Sequence, residues 1–340
     1  MKKIITIIFS SCFLFLAAWE IQPSISVEGS YSSNLLSLSA DQYQSYLDGE
    51  IGSYYDVETA DDFVSSIGVN LKGRRKILGH TNITNLSLDN DLYTINDLFN
   101  QVAFGFETRQ FFNRYWDLSL AYSYHPEIYV QSYISVWDDE RHHYTYSKNN
   151  YSLVLNHNLN QQISLRYELD STQRFYNEYF TEYDANDLEN AVRLIWRRKN
   201  FETRWGYGYK YSVAQAEEAF AGTDYSGVIK DNSYESSKFR FSLIVPQIFQ
   251  LQDKAVRFYA FLLYEKRYFQ SDYPDDTYHY QREADRFSFS SYLRYPILEN
   301  MQIKLLGKYQ KRLTESIYQQ VADEKTYDAY QVGLGLDFDL

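Results

Sequence analysis

The chain has 340 residues, a formal net charge of −12, 23% charged residues and a mean hydropathy of −0.50. Its 35 Tyr, 22 Phe and 5 Trp are far too many for an acidic disordered chain, and 14 Gly and 5 Pro exclude collagen-like and Pro-rich classes. Beyond residue 18 no apolar run approaches the ~20 residues of a membrane helix, which excludes a helical transporter.

Residues 1–18 have the layout of a secretory leader. Lys2 and Lys3 precede an apolar stretch from Ile4 to Ala18, with cleavage expected after Ala18. A single short membrane anchor is the alternative. Cys12, the only cysteine, raises a lipid-attachment reading that the preceding Phe9-Ser10-Ser11 fits poorly. Removing the leader takes away two positive charges and the one thiol, so no disulfide or thiolate chemistry is expected in the remainder. Residues 19–340 are expected to form one domain.

From there the chain repeats one pattern, the period-two alternation of a strand with two unlike faces. Expected strands cover 23–34, 62–74, 80–92, 97–109, 115–126, 143–157, 161–174, 184–197, 201–214, 232–246, 254–269, 284–296, 300–313 and 326–340. The pattern is weakest over 80–92. It is strongest over 201–213, where Phe201, Thr203, Trp205, Tyr207, Tyr209, Tyr211 and Val213 alternate with Glu202, Arg204, Gly206, Gly208, Lys210 and Ser212. A strand segregates those charges to one face, whereas a helix would scatter them around its circumference. Partial alternation over 45–57 leaves twelve or sixteen strands as neighbouring counts. Most spans run ~11–15 residues, longer than soluble strands and long enough for tilted membrane strands.

The connections sort into two kinds. Short ones (75–79, 110–114, 158–160, 198–200, 247–253 and 297–299) alternate with mostly long ones (35–61, 127–142, 175–183, 215–231, 270–283 and 314–325), the exception being 93–96. The expected fold is therefore all-β, a transmembrane up-and-down antiparallel β-barrel of about fourteen strands, with short turns at one end and long loops at the other. A soluble sandwich is the alternative, but it does not need aromatic residues along one face in strand after strand.

The last strand carries Tyr330, Val332, Leu334, Leu336, Phe338 and Leu340 on one face, with Gly333, Gly335, Asp337 and Asp339 on the other. This resembles the C-terminal signal of bacterial outer-membrane β-barrel proteins. In those proteins the last residue is usually aromatic, whereas this chain ends in Leu340 with Phe338 two places back. The resemblance extends along the whole processed chain as a pattern, porin-like or channel-like, without a motif of any one characterised family. It implies a bacterial outer-membrane location, contact with outer-membrane lipid and lipopolysaccharide, and assembly by the barrel-assembly machinery. A monomer is the favoured state.

Charge is patterned too. The long loops are crowded with acids, opposed only by Arg141, Lys230, Arg282 and Lys325. They suit a solvated rim or divalent-cation bridges to lipopolysaccharide, but no ordered ligand spacing for a metal is present. On the expected inward faces lie Arg166, Arg193, Arg204, Lys210, Lys238, Arg240, Arg257, Arg286, Arg294, Lys304 and Lys308, with fewer acids among them: Glu168, Asp170, Glu202 and Glu265. These cations either form a selective lumen wall or a salt-bridge network that fills the lumen. Tyr259, Phe261 and Leu263 share the same face, so either an inserted loop packs there or apolar solute passes; the long loop 35–61 is the expected plug or constriction.

No phosphate loop, H-E-x-x-H or Cys/His metal spacing occurs. The cluster Asp138-Asp139-Glu140-Arg141-His142-His143 is the one candidate for acid–base or metal chemistry, and a hydrophilic loop tip explains it equally well. No catalytic residue, metal or cofactor is therefore assigned. The basic residues sit on strand faces in a negative chain, which argues against nucleic-acid binding. The expected role is a passive channel for small polar or anionic solutes. The alternative is a surface-assembly or export protein with a plugged lumen and partner-binding loops.

Overall fold

The structure, a computed structural model, describes residues 20–51, 55–223 and 227–340. The expected leader, 1–18, lies outside them. The chain forms fourteen strands: β1 (Glu20–Ser32), β2 (Asp62–Ile77), β3 (His80–Tyr93), β4 (Gln101–Phe111), β5 (Trp116–Ile134), β6 (Arg141–Asn158), β7 (Ile163–Tyr176), β8 (Ala185–Arg197), β9 (Glu202–Ala214), β10 (Tyr234–Leu251), β11 (Lys254–Phe269), β12 (Glu283–Leu298), β13 (Met301–Glu315) and β14 (Tyr327–Asp339). Each pairs antiparallel with its neighbours in sequence, and β14 pairs with β1 to close the barrel. Closure leaves no strand edge with unpaired backbone groups, which is the condition for a sheet to sit in lipid.

The two faces differ as the alternation requires. One carries a broad exposed apolar belt that includes Ile67, Leu88, Phe106, Leu120, Leu194, Trp205, Phe239, Leu305 and Leu334. Side chains on the other face include Glu28, Ser66, Asp91 and Arg193, and the register keeps each set in phase across the strands. Closing the C-terminal seam, Ile25, Val27, Gly29 and Tyr31 of β1 face Phe338, Leu336, Leu334 and Val332 of β14. On the belt side, aromatic contacts run Tyr207–Phe239, Phe239–Tyr264 and Tyr264–Phe287 across β9 to β12. Where the belt meets the long-loop end, tyrosine hydroxyls turn to carboxylates: Tyr209 donates to Glu235 at 2.5 Å and Tyr264 to Asp285 at 2.6 Å. Tyrosine suits that boundary, with an apolar ring and a polar tip.

Several boundaries differ from the sequence reading. The loop expected over 127–142 shrinks, because β5 and β6 run on to Ile134 and from Arg141. Register shifts at His125/Ile128 and Tyr129/Gln131 absorb Pro126, so the proline bulges the strand instead of ending it. Pro246 is absorbed likewise between Val245 and Phe249, which carries β10 to Leu251 and cuts the expected turn 247–253 to two residues. Among the described residues of the stretch 45–57, where the alternation is partial, there is no strand. Helix α1 (Ala40–Leu47) occupies its start, opened by Ser39 in a capping box with Gln42. A second short helix, α2 (Gln319–Lys325), lies between β13 and β14.

Candidate functional site

The lumen has two unlike walls. On β3 to β6 it is lined mostly by small residues such as Ser87, Gly105, Ala121, Ser123, Asn150 and Ser152, which with Glu107 border an open recess of about 230 Å3, while Asp89, Asp91, Lys148 and the Arg109–Asp117 pair stand on the same face. On β7 to β13 it is lined by long charged side chains. All eleven expected cations lie in phase on that face: Arg166 opposite Arg193, Arg193 opposite Gly206, Arg204 opposite Ser242, Lys210 opposite Ser236, Lys238 opposite Glu265, Arg240 opposite Leu263, Arg257 opposite Arg294, Arg286 opposite Arg312, and Lys304 and Lys308 opposite Gly335 and Gln331.

Most of these cations are neutralised where they stand. Glu168 meets Arg193 at 2.6 Å and Arg166 at 3.6 Å. Glu202 meets Arg204 at 2.6 Å and Arg197 at 2.9 Å. Asp187 takes Lys210 at 2.6 Å and Arg174 at 2.8 Å. Glu189 holds both Lys238 and Arg240, and Glu265 takes Arg267 at 2.9 Å. Arg294 reaches Asp337 at 3.4 Å, and Lys304 pairs with Glu28. The arginines lie flat against the wall over a glycine shelf. A Cβ on Gly206 would sit 2.9 Å from Arg193 Cγ, and one on Gly208 would sit 3.0 Å from an Arg240 nitrogen and 3.1 Å from a Glu189 oxygen. Of the eleven, Arg257, Arg286 and Lys308 have no carboxylate within ion-pair reach among the described residues.

Asp187, Glu189, Arg174, Arg267 and Arg312 were not singled out in the sequence, although their signal was present. In 185–197 Asp187 and Glu189 have the same parity as Arg193, opposite the apolar series Leu188, Val192 and Leu194. Among the described residues, the ring partners of Tyr259 and Phe261 lie on β12 and not on an inserted loop. Tyr259 stacks on Tyr292 at 4.4 Å, Phe261 lies 5.8 Å from the same ring, and the Arg294 guanidinium lies 5.2 Å from it.

At the long-loop end the lumen widens into a cavity of about 700 Å3. One side is aromatic. Tyr144 sits within 4.7–5.3 Å of Tyr133, Tyr176, Phe180 and Tyr183. The other side is cationic, with Arg267, Arg282, Arg286, Arg312 and Lys325. The loop cations Arg282 and Lys325 thus line this cavity beneath the acidic rim. Burial, then the charges of Arg312 and Arg282, lowers the Lys325 ammonium to about 8. Burial also lowers the His279 imidazole, although its Nδ1 lies 2.9 Å from Asp276.

The described residues of the first long loop meet the barrel at its mouth. Leu35, Leu36 and Ser37 border the cavity, while α1 buries no side chain. Its return segment is pinned to the barrel: Ser132 donates to Asp56 at 2.5 Å, His143 Nε2 lies 3.3 Å from Asp56, and Asn96 accepts from the Glu58 amide at 2.9 Å. In the loop-tip cluster His142 bonds Asp138 at 2.8 Å and stacks on Tyr179 at 3.5 Å. Asp138, Glu140 and His142 bring one ligand atom each within 4.8 Å of one another, on an exposed tip.

A closed antiparallel barrel with an apolar outer belt and a polar, charged lumen is a transmembrane β-barrel of the bacterial outer-membrane type. No protein-family model matches the chain, and no curated protein matches it. Among solved structures it is similar to a bacterial polysaccharide outer membrane secretin, with 8% identity over 94% of this chain and 98% of that chain and a TM-score of 0.46. It is also similar to OmpT, an outer membrane protein of Vibrio cholerae, at 7% identity over 95% and 98% of the two chains and a TM-score of 0.46. A third similar structure is an anion-selective porin from Comamonas acidovorans, at 6% identity over 95% and 99% and a TM-score of 0.42.

Proposed function

We propose that the protein is a passive channel of the bacterial outer membrane for small polar or anionic solutes. The observation that carries this reading is the pair of unlike lumen walls. Mostly small side chains on β3 to β6, with few charges among them, leave room for a solute, and the long charged side chains of β7 to β13 face that space with a cationic surplus at the mouth. Fixed charges along one wall raise the local concentration of counter-ions and orient dipolar solutes, as charged rings do in selective pores. The mechanism is diffusion along that wall, with no covalent step. The barrel is monomeric in this reading. It contacts lipid and lipopolysaccharide through its belt and rim, and the outward face of β14, Tyr330 to Leu340, serves the barrel-assembly machinery.

Single-channel recording in a planar bilayer tests the reading. The expected result is a steady conductance with a reversal potential on the anion side in a salt gradient. A closed barrel overturns the channel. Cation preference that survives neutralisation of the loop acids overturns the anionic version. A second reading, a surface-assembly or export protein, is favoured by one observation: the Asp56 contacts fasten the first loop across the mouth.

A further inference from the structure

Lower in the lumen, nearly every cation has found an acid. At the mouth six among the described residues have not, Lys148, Lys230, Arg282, Arg286, Arg312 and Lys325, and the last four lie on β12, β13 and the connections beside them. Arg286 and Arg312 are direct cross-strand partners on the lumen face, an arrangement that repels when both residues carry the same charge. Arg282 stands just before β12 and is only 5% exposed, with its guanidinium 3.7 Å from the Phe269 ring centre. Lys325 ends α2, with its ammonium 5.2 Å from the Tyr278 ring. None of the four has a carboxylate within ion-pair reach among the described residues, and Nε of Arg282, Arg286 and Arg312 is buried without a hydrogen-bond partner.

The nearby acids are already engaged. Glu265 is taken by Arg267 and Ser236, and Asp276 by His279, Ser271 and the Asp231 amide. Glu324 is taken by Gln320 and Tyr278. Like charges gathered out of bulk water without counter-charge are costly, so a fold that keeps four of them around one cavity draws compensation from a bound group.

We propose that the outer cavity is a binding site for a small polyanion with closely spaced oxyanion groups, held by Arg282, Arg286, Arg312 and Lys325. The proposal deepens the channel reading by naming the solute class that its mouth selects. Arginine forks match phosphate and carboxylate oxygens in pairs, and lysine adds a point charge. A cavity of about 700 Å3 is of the size that holds small organic molecules. A single halide ion cannot span four cations on two strands, a loop and a helix, whereas a pyrophosphate, sugar bisphosphate or tricarboxylate can.

Calorimetric titration of the folded full-length chain in detergent, with pyrophosphate, citrate and chloride as probes, tests this. Saturable binding of one pyrophosphate or citrate per barrel is expected, with chloride giving none. Preference between the two probes separates a phosphate site from a carboxylate site. The Arg286→Gln/Arg312→Gln double variant is expected to weaken binding about tenfold or more, the loss of charge-assisted bonds. Lys311→Gln, which removes the same charge from the outer face of β13, leaves it unchanged. If the double variant does not fold, Lys325→Gln in the connection between β13 and β14 serves in its place. Folded wild-type protein that binds neither probe, or binds equally well after the substitutions, overturns the site. Binding is read without a membrane, so a barrel that binds but does not conduct sinks the channel alone, and one that conducts but does not bind sinks only this proposal.

Discussion

At the scale of single residues, the lumen wall is governed by whether each cation has a carboxylate. Glu189 is the sole acid holding both Lys238 and Arg240 close, and all three are largely shielded. Glu189→Gln leaves two cations without that partner. The loss should lower stability by about 1–3 kcal/mol, less than in a dry core because the lumen is wet, and it should shift the reversal potential further toward anions. An unchanged urea-unfolding midpoint together with unchanged selectivity would show the network to be idle. Lys325 gives a pH signature. Facing it are Arg312 from β13, Arg282, His279 and Tyr278 from the 270–282 connection, and Glu324 from its own helix. Its ammonium is charged below about 8 and neutral above, so polyanion affinity should be full at pH 7 and fall as pH rises through that value. His279 is held neutral in this window by burial and does not contribute. In Lys325→Gln the fall centred near pH 8 should vanish, leaving a later fall to Arg282, which burial lowers to about 9; a calorimetric profile that keeps its slope near pH 8 assigns it to another group. The sequence revealed which cations share the inward face, because parity alone sets that. It hid which are paired, because Glu189 reaches Arg240 from two strands away and no local pattern records that contact.

At the scale of elements, strand number and order were legible because each strand separates an apolar face from a polar one. Strand ends were less legible wherever a proline sat inside the pattern. The expected strands 115–126 and 232–246 end at Pro126 and Pro246, but bulges next to these residues let β5 and β10 continue toward opposite ends of the barrel. The first loop was legible as the long one, but not in its form. Ser39 and Gln42 spelled a capping box in a stretch otherwise scanned for period two. What the loop does follows from where it is fastened. Its return segment holds to β5 through Asp56 and to Asn96, while Leu35 to Ser37 border the cavity. Deleting 36–60 removes the buried Leu38 and Ala60 but no part of the closed strand ring, so it should enlarge single-channel conductance and leave the barrel folded. Asp56→Ala, which cuts only the fastening, should give added open-channel noise at unchanged mean conductance. Conductance that is unaffected by the deletion would mean the loop narrows nothing, and would favour a role in partner binding.

At the scale of the whole molecule, charge changes sign along the axis. Exposed acids crown the long-loop end, among them Asp272, Asp275 and Glu315, close in sequence to the buried cations Arg282 and Arg312. An anion approaching the mouth thus meets repulsion first and attraction second. Contacts within the cavity act over a few ångströms and are partly shielded from salt, whereas the rim acts through solvent over roughly a Debye length, about 8 Å at physiological ionic strength. The two effects can therefore be separated by salt. Changing Asp272 and Asp275 to Asn and Glu315 to Gln should raise anion selectivity and the rate of polyanion capture at low ionic strength. In ~1 M salt, where the Debye length falls to about 3 Å, variant and wild type should converge. Loss of the cavity cations should behave differently, with the variant's deficit in polyanion affinity persisting in high salt. Reversal potentials and capture rates measured across a salt series distinguish the two. If the rim variant's gain persists undiminished in high salt, those carboxylates contact the solute directly and belong to the site.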